Sequence, residues 1–340
     1  MRRWIKVSVA AVAVLGVGGY IAEPHVQDWT LAGSACDGAL PRAAVDALAP
    51  KDSHLDEEKS RQVDGLGYYS CSLTAEGDDV RDERLVEMEA FTRRDDQDRE
   101  FMAVFADGGF APQGRLPDGL PGFVDEFGSV QLLLPCPDLG KDAEGRQRKL
   151  LVRTTLGSQT HVGVPGAAYR TAVALANKAS GKLGCGAERI SVPERDVPLA
   201  MPGEDDPKPV PLSRAKGTPC AWATRADLPK DLDWRMEVNA NDAGPTGRCD
   251  LYTTPDDTHS RLSLAAWYGD WGNRLLGDGI IGKPPFATAT ARCHGEAANY
   301  ALSASDDTPG VSKAAKRRML KEFAEDQTAR RGCSTPRYSF

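Results

Sequence analysis

GVPGAAYRTAVALANKASGKLGC (Gly163 to Cys185) and GVSKAAKRRMLKEFAEDQTARRGC (Gly310 to Cys333) are two versions of one phrase: Gly-Val, a pair of alanines, an arginine, a helical run and a Gly-Cys stop. Recurrence at a separation of about 150 residues marks an internal repeat. In the first copy Ala168, Ala172, Leu175, Ala176, Ala179 and Leu183 fall at spacings of three and four. In the second, Ala315, Met319, Leu320, Phe323 and Ala324 do the same, so each copy predicts a helix with one apolar face. Gly184 and Gly332 predict the helix stops and leave Cys185 and Cys333 just beyond them.

The other cysteines extend the match. Cys36, Cys71, Cys136 and Cys185 lie in one half, and Cys220, Cys249, Cys293 and Cys333 in the other. Cys36 opens CDGALPRAAVDALAP and Cys220 opens CAWATRADLPKDLDW, both short, Pro-containing and able to form a helix. After Cys71 and Cys249 a polar turn leads to Arg-Leu and an alternating strand; the arginines, Arg84 and Arg261, stand 13 and 12 residues on. Cys136 sits in VQLLLPCPD and Cys293 in FATATARCHGE, followed by the strand candidates KLLVRTTL and ANYALSAS. The pattern predicts an α+β fold: a tandem duplicated domain, residues 36–185 and 220–340, each an antiparallel sheet covered by a C-terminal helix and stapled by two disulfides. Residues 186–219, with seven prolines, read as a connector, partly extended. Several pairings within each repeat are possible. First with second and third with fourth is preferred, because it ties the opening helix to its strand and the closing helix to the sheet.

The chain starts with Arg2, Arg3 and Lys6 and continues with an uncharged run over residues 7–22. As a helix that run reaches roughly 24 Å, slightly short of a hydrocarbon core of about 30 Å. It reads as an export signal, either a signal anchor or a removable signal peptide. Tyr20 and Ile21 stand where a cleavage site needs small residues, which favours an anchor over a secreted product. Residues 1–6 then form a cytoplasmic basic tail and the body lies outside, with the membrane as the N-terminal segment's partner. An oxidising compartment suits an even set of eight cysteines. The body carries all 49 acidic residues and all but three of the 42 basic ones, which argues against nucleic acid as a partner. Anchor, paired cysteine units and Pro-rich connector together resemble exported, membrane-anchored actinobacterial proteins of unknown function with paired-cysteine domains. The resemblance implies an envelope location and carries over no catalytic residue.

Signatures of phosphate-binding loops, zinc proteases and serine hydrolases are absent from the sequence, and no cysteine pair has C-x-x-C spacing. Cys293-His294-Gly295-Glu296 offers a thiol, an imidazole and a carboxylate, but Cys293 matches Cys136 of the other repeat, which points to a disulfide. Glu237 to Gly244 resembles a calcium loop except that Asp242 occupies the glycine position, so it reads as a polar turn. No catalytic residue, cofactor or metal ligand is assigned. Two features are candidates for partner binding. Trp267 and Trp271, in AAWYGDWGN, could stack on a sugar or anchor a partner, although strand alternation draws at least one into the core. Lys316, Arg317 and Lys321, in KAAKRRMLKE, could form a basic face for an acidic envelope polymer or protein, or a solvated face. The expectation is a non-enzymatic extracytoplasmic binding or interaction module; the alternative is a cell-envelope hydrolase with its site between the repeats, marked by a perturbed carboxylate or histidine in a cleft.

Overall fold

The computed structural model describes residues 26–50, 53–76, 84–104, 113–117, 119–157, 166–192, 209–230, 232–237, 244–253, 260–269, 286–304 and 311–340. The N-terminal tail and the apolar run at 7–22 lie outside these residues; among the described residues no helix is long and apolar enough to cross a membrane.

The first half comprises α1 (residues 26–38), α2 (Arg42–Leu48), β1 (Leu55–Val63), β2 (Tyr68–Ala75), β3 (Arg84–Phe91), α3 (Arg94–Val104), β4 (Gly122–Val124), β5 (Val130–Pro135), β6 (Lys149–Leu156) and α4 (Ala167–Lys182). The second comprises β7 (Val210–Pro211), β8 (Trp234–Glu237), β9 (Thr246–Thr253), β10 (Ser260–Tyr268), β11 (Ala287–Cys293), β12 (Glu296–Ala304), α5 (Lys313–Arg331) and β13 (Arg337–Ser339). The strand orders are β1-β2-β3-β6-β5-β4 and β7-β8-β9-β10-β12-β11-β13, antiparallel throughout. Superposed on their cysteines, the sheets repeat five strands in one order, β1-β2-β3-β6-β5 against β8-β9-β10-β12-β11. The extra residue before Arg84 falls in the β2–β3 connection, since Thr74 and Tyr252, each three residues past the cysteine, pair with Arg84 and Arg261; a β-bulge adds a further one just after Arg84. Leu73 pairs with Val86 and Thr74 with Arg84, skipping Leu85, whereas Leu251 and Tyr252 pair with the adjacent Leu262 and Arg261.

Disulfides join Cys36 to Cys71, Cys136 to Cys185, Cys220 to Cys249 and Cys293 to Cys333, with Cα separations between 4.1 and 5.3 Å. Each half therefore carries the two bridges expected of it, and the third-to-fourth bridge pins the helix end to the sheet. Gly184 and Gly332, at φ 60° and 61°, take the left-handed conformation that turns the chain toward that cysteine. At the other end of α5 the Ser312 hydroxyl caps the helix by accepting the Ala315 N–H at 3.1 Å.

One part differs from the expectation. The opening helix of the second half is a single 3₁₀ turn, Ala221–Thr224, because Pro219 and Pro229 bracket it closely. Its Trp222 is fully buried and meets Phe323 edge-on, ring centroids 6.1 Å apart. The connector is docked at both ends. Asn177 exchanges hydrogen bonds with the Ile190 backbone, and Val210–Pro211 pairs with β8 as an edge strand, a position that tolerates proline.

Strand alternation sorts two faces on each sheet. Leu150 and Val152 of β6 pack under α4, while Leu151 between them points the other way. Tyr300 and Leu302 of β12 pack under α5, while Ala301 faces away. The two uncovered faces meet each other: Phe91, Phe123 and Leu151 of the first half form one buried cluster with Ala265, Trp267 and Ala301 of the second, and Phe101 of α3 joins them. The layers run helix, sheet, sheet, helix. By register Phe91 and Trp267 are equivalent positions, so the same strand end supplies the aromatic filling from each side.

Candidate functional site

Back-to-back packing leaves a cleft of about 570 Å³ at the seam of the halves. The last turn of α5, the β11–β12 turn and the end of β10 wall one side; Leu133, Gln147 and Lys149 wall the other. Each wall follows from local chemistry. His294 and Gly295, at φ 52° and 88°, make a two-residue hairpin turn between the paired residues Cys293 and Glu296. Turn geometry therefore places His294 at the cleft, and Cys293 is held by Cys333. The metal reading of this tetrad is set aside on that bond.

Glu296 reaches across the seam to an ion pair with Lys149, both side chains mostly buried. On the other side Thr246 Oγ1 donates to Gln113 Oε1 at 2.9 Å, again between the halves. Arg330 and Arg331 occupy the last turn of α5, where the helix dipole favours cations. Arg330 pairs with Asp326 at 2.7 Å. Arg331 lies 3.8 Å from the centre of the Tyr268 ring and donates to Gly244 O at 2.7 Å. Tyr268 in turn donates to Gln327 Oε1 at 2.9 Å, so ring and guanidinium form one braced platform in the cleft.

The buried charges elsewhere serve the seam. Arg153 of β6 pairs with Glu89 at 2.8 Å and Glu100 at 2.9 Å; burial, the largest influence, raises the Glu100 pKa despite that arginine. Burial likewise raises the pKa of Asp125, whose carboxylate accepts from Gln131 and from the Phe127 and Ser129 N–H groups. Neither carboxylate lines the cleft. In the second sheet Asp250 is wholly buried. Burial would raise its pKa, but Arg248 at 2.8 Å and Arg261 at 3.2 Å hold it below the ordinary value.

The sequence candidates are not brought together. Trp267 is fully buried between the sheets, so the strand places it in the core and corrects its reading as a partner-binding face. Trp271 lies outside the described residues. Lys316 is a second correction: only 6% exposed, it lies under Phe286, with its Nζ 5.7 Å from the ring centre. Arg317 and Lys321 are exposed on α5, the first stacked on Phe340 and the second 4.0 Å from Glu325. Sequence reasoning missed Lys149, His294 and Arg331 as cleft residues. They are far apart in the chain, and only the seam unites them; Arg330-Arg331 before the Gly-Cys stop was the one local signal.

No family model, curated protein or solved structure matches this chain. The chemistry of the cleft is therefore read from its own residues.

Proposed function

We propose that the protein is a non-enzymatic binding module, held at the cell membrane by its N-terminal segment with the body outside the cytoplasm, and that its ligand sits in the cleft between the repeats. The carrying observation is the cleft's composition. Its cysteine is closed in a disulfide and its carboxylate, Glu296, is engaged by Lys149. What faces the space is a braced Tyr268–Arg331 platform, apolar Leu133 and Pro245, cations, and a single imidazole, His294, with no free nucleophile or carboxylate beside it in the lining among the described residues. Such a surface recognises; bond cleavage needs a positioned nucleophile or acid–base pair. The four disulfides within the halves suit an oxidising compartment, which supports the extracytoplasmic placement.

The test uses the full chain in its membrane. A reporter fused after Phe340 should be active only outside the cytoplasm. A photo-crosslinking side chain in place of His294 should capture an envelope component, while the same group in place of Arg317 should not. Equal capture at both positions would overturn the cleft as the site. Turnover of an envelope polymer that is lost on substituting cleft residues would replace binding with hydrolysis.

A further inference from the structure

The cleft at the seam does not end there. Gln147 and Lys149 also line a second hollow of about 490 Å³ between the start of α3 and the 142–148 loop. Thr92, Arg93 and Arg148 of that hollow line a third, of about 300 Å³, that extends to Lys182. The three share walls and form one groove running from the second half across the first.

The groove inverts the charge balance of the chain. The whole sequence has 49 acidic and 42 basic residues, yet the groove's walls carry eight lysines and arginines against five carboxylates. Those carboxylates are already engaged: Glu296 with Lys149, Asp142 and Glu144 with Arg146, and Asp64 with Gln62; Asp95 is not free either. Three of the cations, Arg93, Arg148 and Arg331, have no carboxylate at ion-pair distance among the described residues; Arg331 lines the first hollow, and Arg93 and Arg148 line both the second and the third. Arg93 and Arg148 are exposed. Spaced guanidinium groups without counter-ions suit successive anionic groups on one extended ligand, because each fork takes a phosphate or carboxylate through paired N–H bonds. The basic face of α5 is the weaker candidate, since Arg318 and Lys321 there already face Asp227 and Glu325.

We infer that the groove binds a linear polyanion, a chain bearing repeated phosphate or carboxylate groups, laid from the Tyr268–Arg331 platform over Arg148 to Arg93. This rests on the reading of the cleft as the binding site and names the ligand's chemistry.

The experiment takes the full-length protein in neutral detergent and measures binding of long-chain inorganic polyphosphate, poly-L-glutamate, tripolyphosphate and uncharged dextran. Both long polyanions should bind, and dextran should not. The Arg93→Gln/Arg148→Gln double variant should lose about tenfold in affinity for the long chains, and the slope of log affinity against log salt should flatten by about one to two units. Tripolyphosphate, too short to span the groove, should change less than about twofold, whereas Arg331→Gln should weaken all three anions and Arg331→Lys should restore part of the loss. Undiminished binding of the long chains by the double variant would overturn the groove. If dextran binds and is blocked by cleft substitutions, the polyanion falls while the cleft survives as a binding site. If no probe binds, the polyanion falls, and the crosslinking test at His294 decides the cleft separately.

Discussion

In the first half α4 presents Ala172, Val173 and Ala176 to its sheet, and Leu132, Leu134 and Leu150 fill the space beneath. In the second half α5 presents Met319, Leu320 and Phe323, and the strand positions that match those three leucines by register are Ala289, Ala291 and Ala298. At these positions bulk has moved from the sheet to the helix, although Tyr300 stands where the first sheet has Val152. Cores tolerate such exchange when total volume is conserved, so the helices could diverge in size while the cysteines and strand order persisted. Phe323→Ala should therefore cost roughly 3 to 5 kcal/mol in urea unfolding, because the alanines beneath cannot fill the cavity. Adding Ala289→Leu should recover part of the loss. The mirror change, Ala176→Phe, should destabilise by about 1 to 3 kcal/mol through overpacking. A neutral Phe323→Ala would break the comparison, since it would mean that the second core is not built on that ring.

The halves differ as well in what they hold at the seam. The second sheet buries Asp250 with Arg248, and the half-exposed Arg261 reaches the same carboxylate; at the matching register the first has Ser72. Asp250→Asn should cost about 3 kcal/mol, because two guanidinium groups lose their buried counter-charge. The sign with pH follows from its depressed pKa. The stabilisation is present above the unfolded value near 3.8 and is lost as pH falls through the lower folded value. Glu100 and Asp125 in the first half have raised pKa values, so their protonation on acidification favours the folded state. In an acid titration, hydrogen exchange should report the second half opening before the first, and Asp250→Asn should remove that order.

Much of this was legible before the structure. The cysteine phrases fix which segments correspond, and the one-residue mismatch before Arg84 is taken up in the β2–β3 connection, so that Arg84 and Arg261 still pair at matching positions. The seam was not legible, for a physical reason. The faces that meet carry Glu89, Arg153, Arg248 and Ser263 among their apolar residues, an alternation that reads as a solvent face on each strand taken alone. The polar groups find partners only once the sheets are stacked, and the cleft is a product of that stacking. Lys316 was misread similarly: its charge suggested water, while its place on the helix puts the stem under Phe286.

That last contrast gives a smaller effect to measure. Lys316→Gln should cost about 1 kcal/mol through lost packing and cation–π contact with Phe286. Arg317→Gln and Lys321→Gln should each stay within about 0.5 kcal/mol, as exposed charges do. Equal effects at all three would return Lys316 to the solvated face.

The smallest effect concerns the strut that leads into the first half and has no described counterpart in the second, where the chain enters through β7. Asp28 of α1 accepts from the Leu55 N–H at 2.7 Å and meets His54 Nδ1 at 2.8 Å, tying the helix to β1. The hydrogen bond to Asp28 is the main reason the His54 pKa lies above its usual 6.5. A raised folded value means the contribution is fully present below the unfolded value and disappears as pH rises through the folded one. The Leu55 bond persists at every such pH, so the helix should loosen and not detach. Hydrogen exchange over residues 26–38 should accelerate modestly as pH rises above 6.5 and through the higher folded value, after correction for intrinsic rates, and His54→Gln should abolish the change. The second half offers the control. Its α5 is tied through Asp326 to Arg225, with Arg330 one turn along bracing the same carboxylate, and both arginines keep their charge throughout that range, so its protection should stay level. Loosening of both helices together would assign the effect to a general property of the protein and remove the histidine tie from the account.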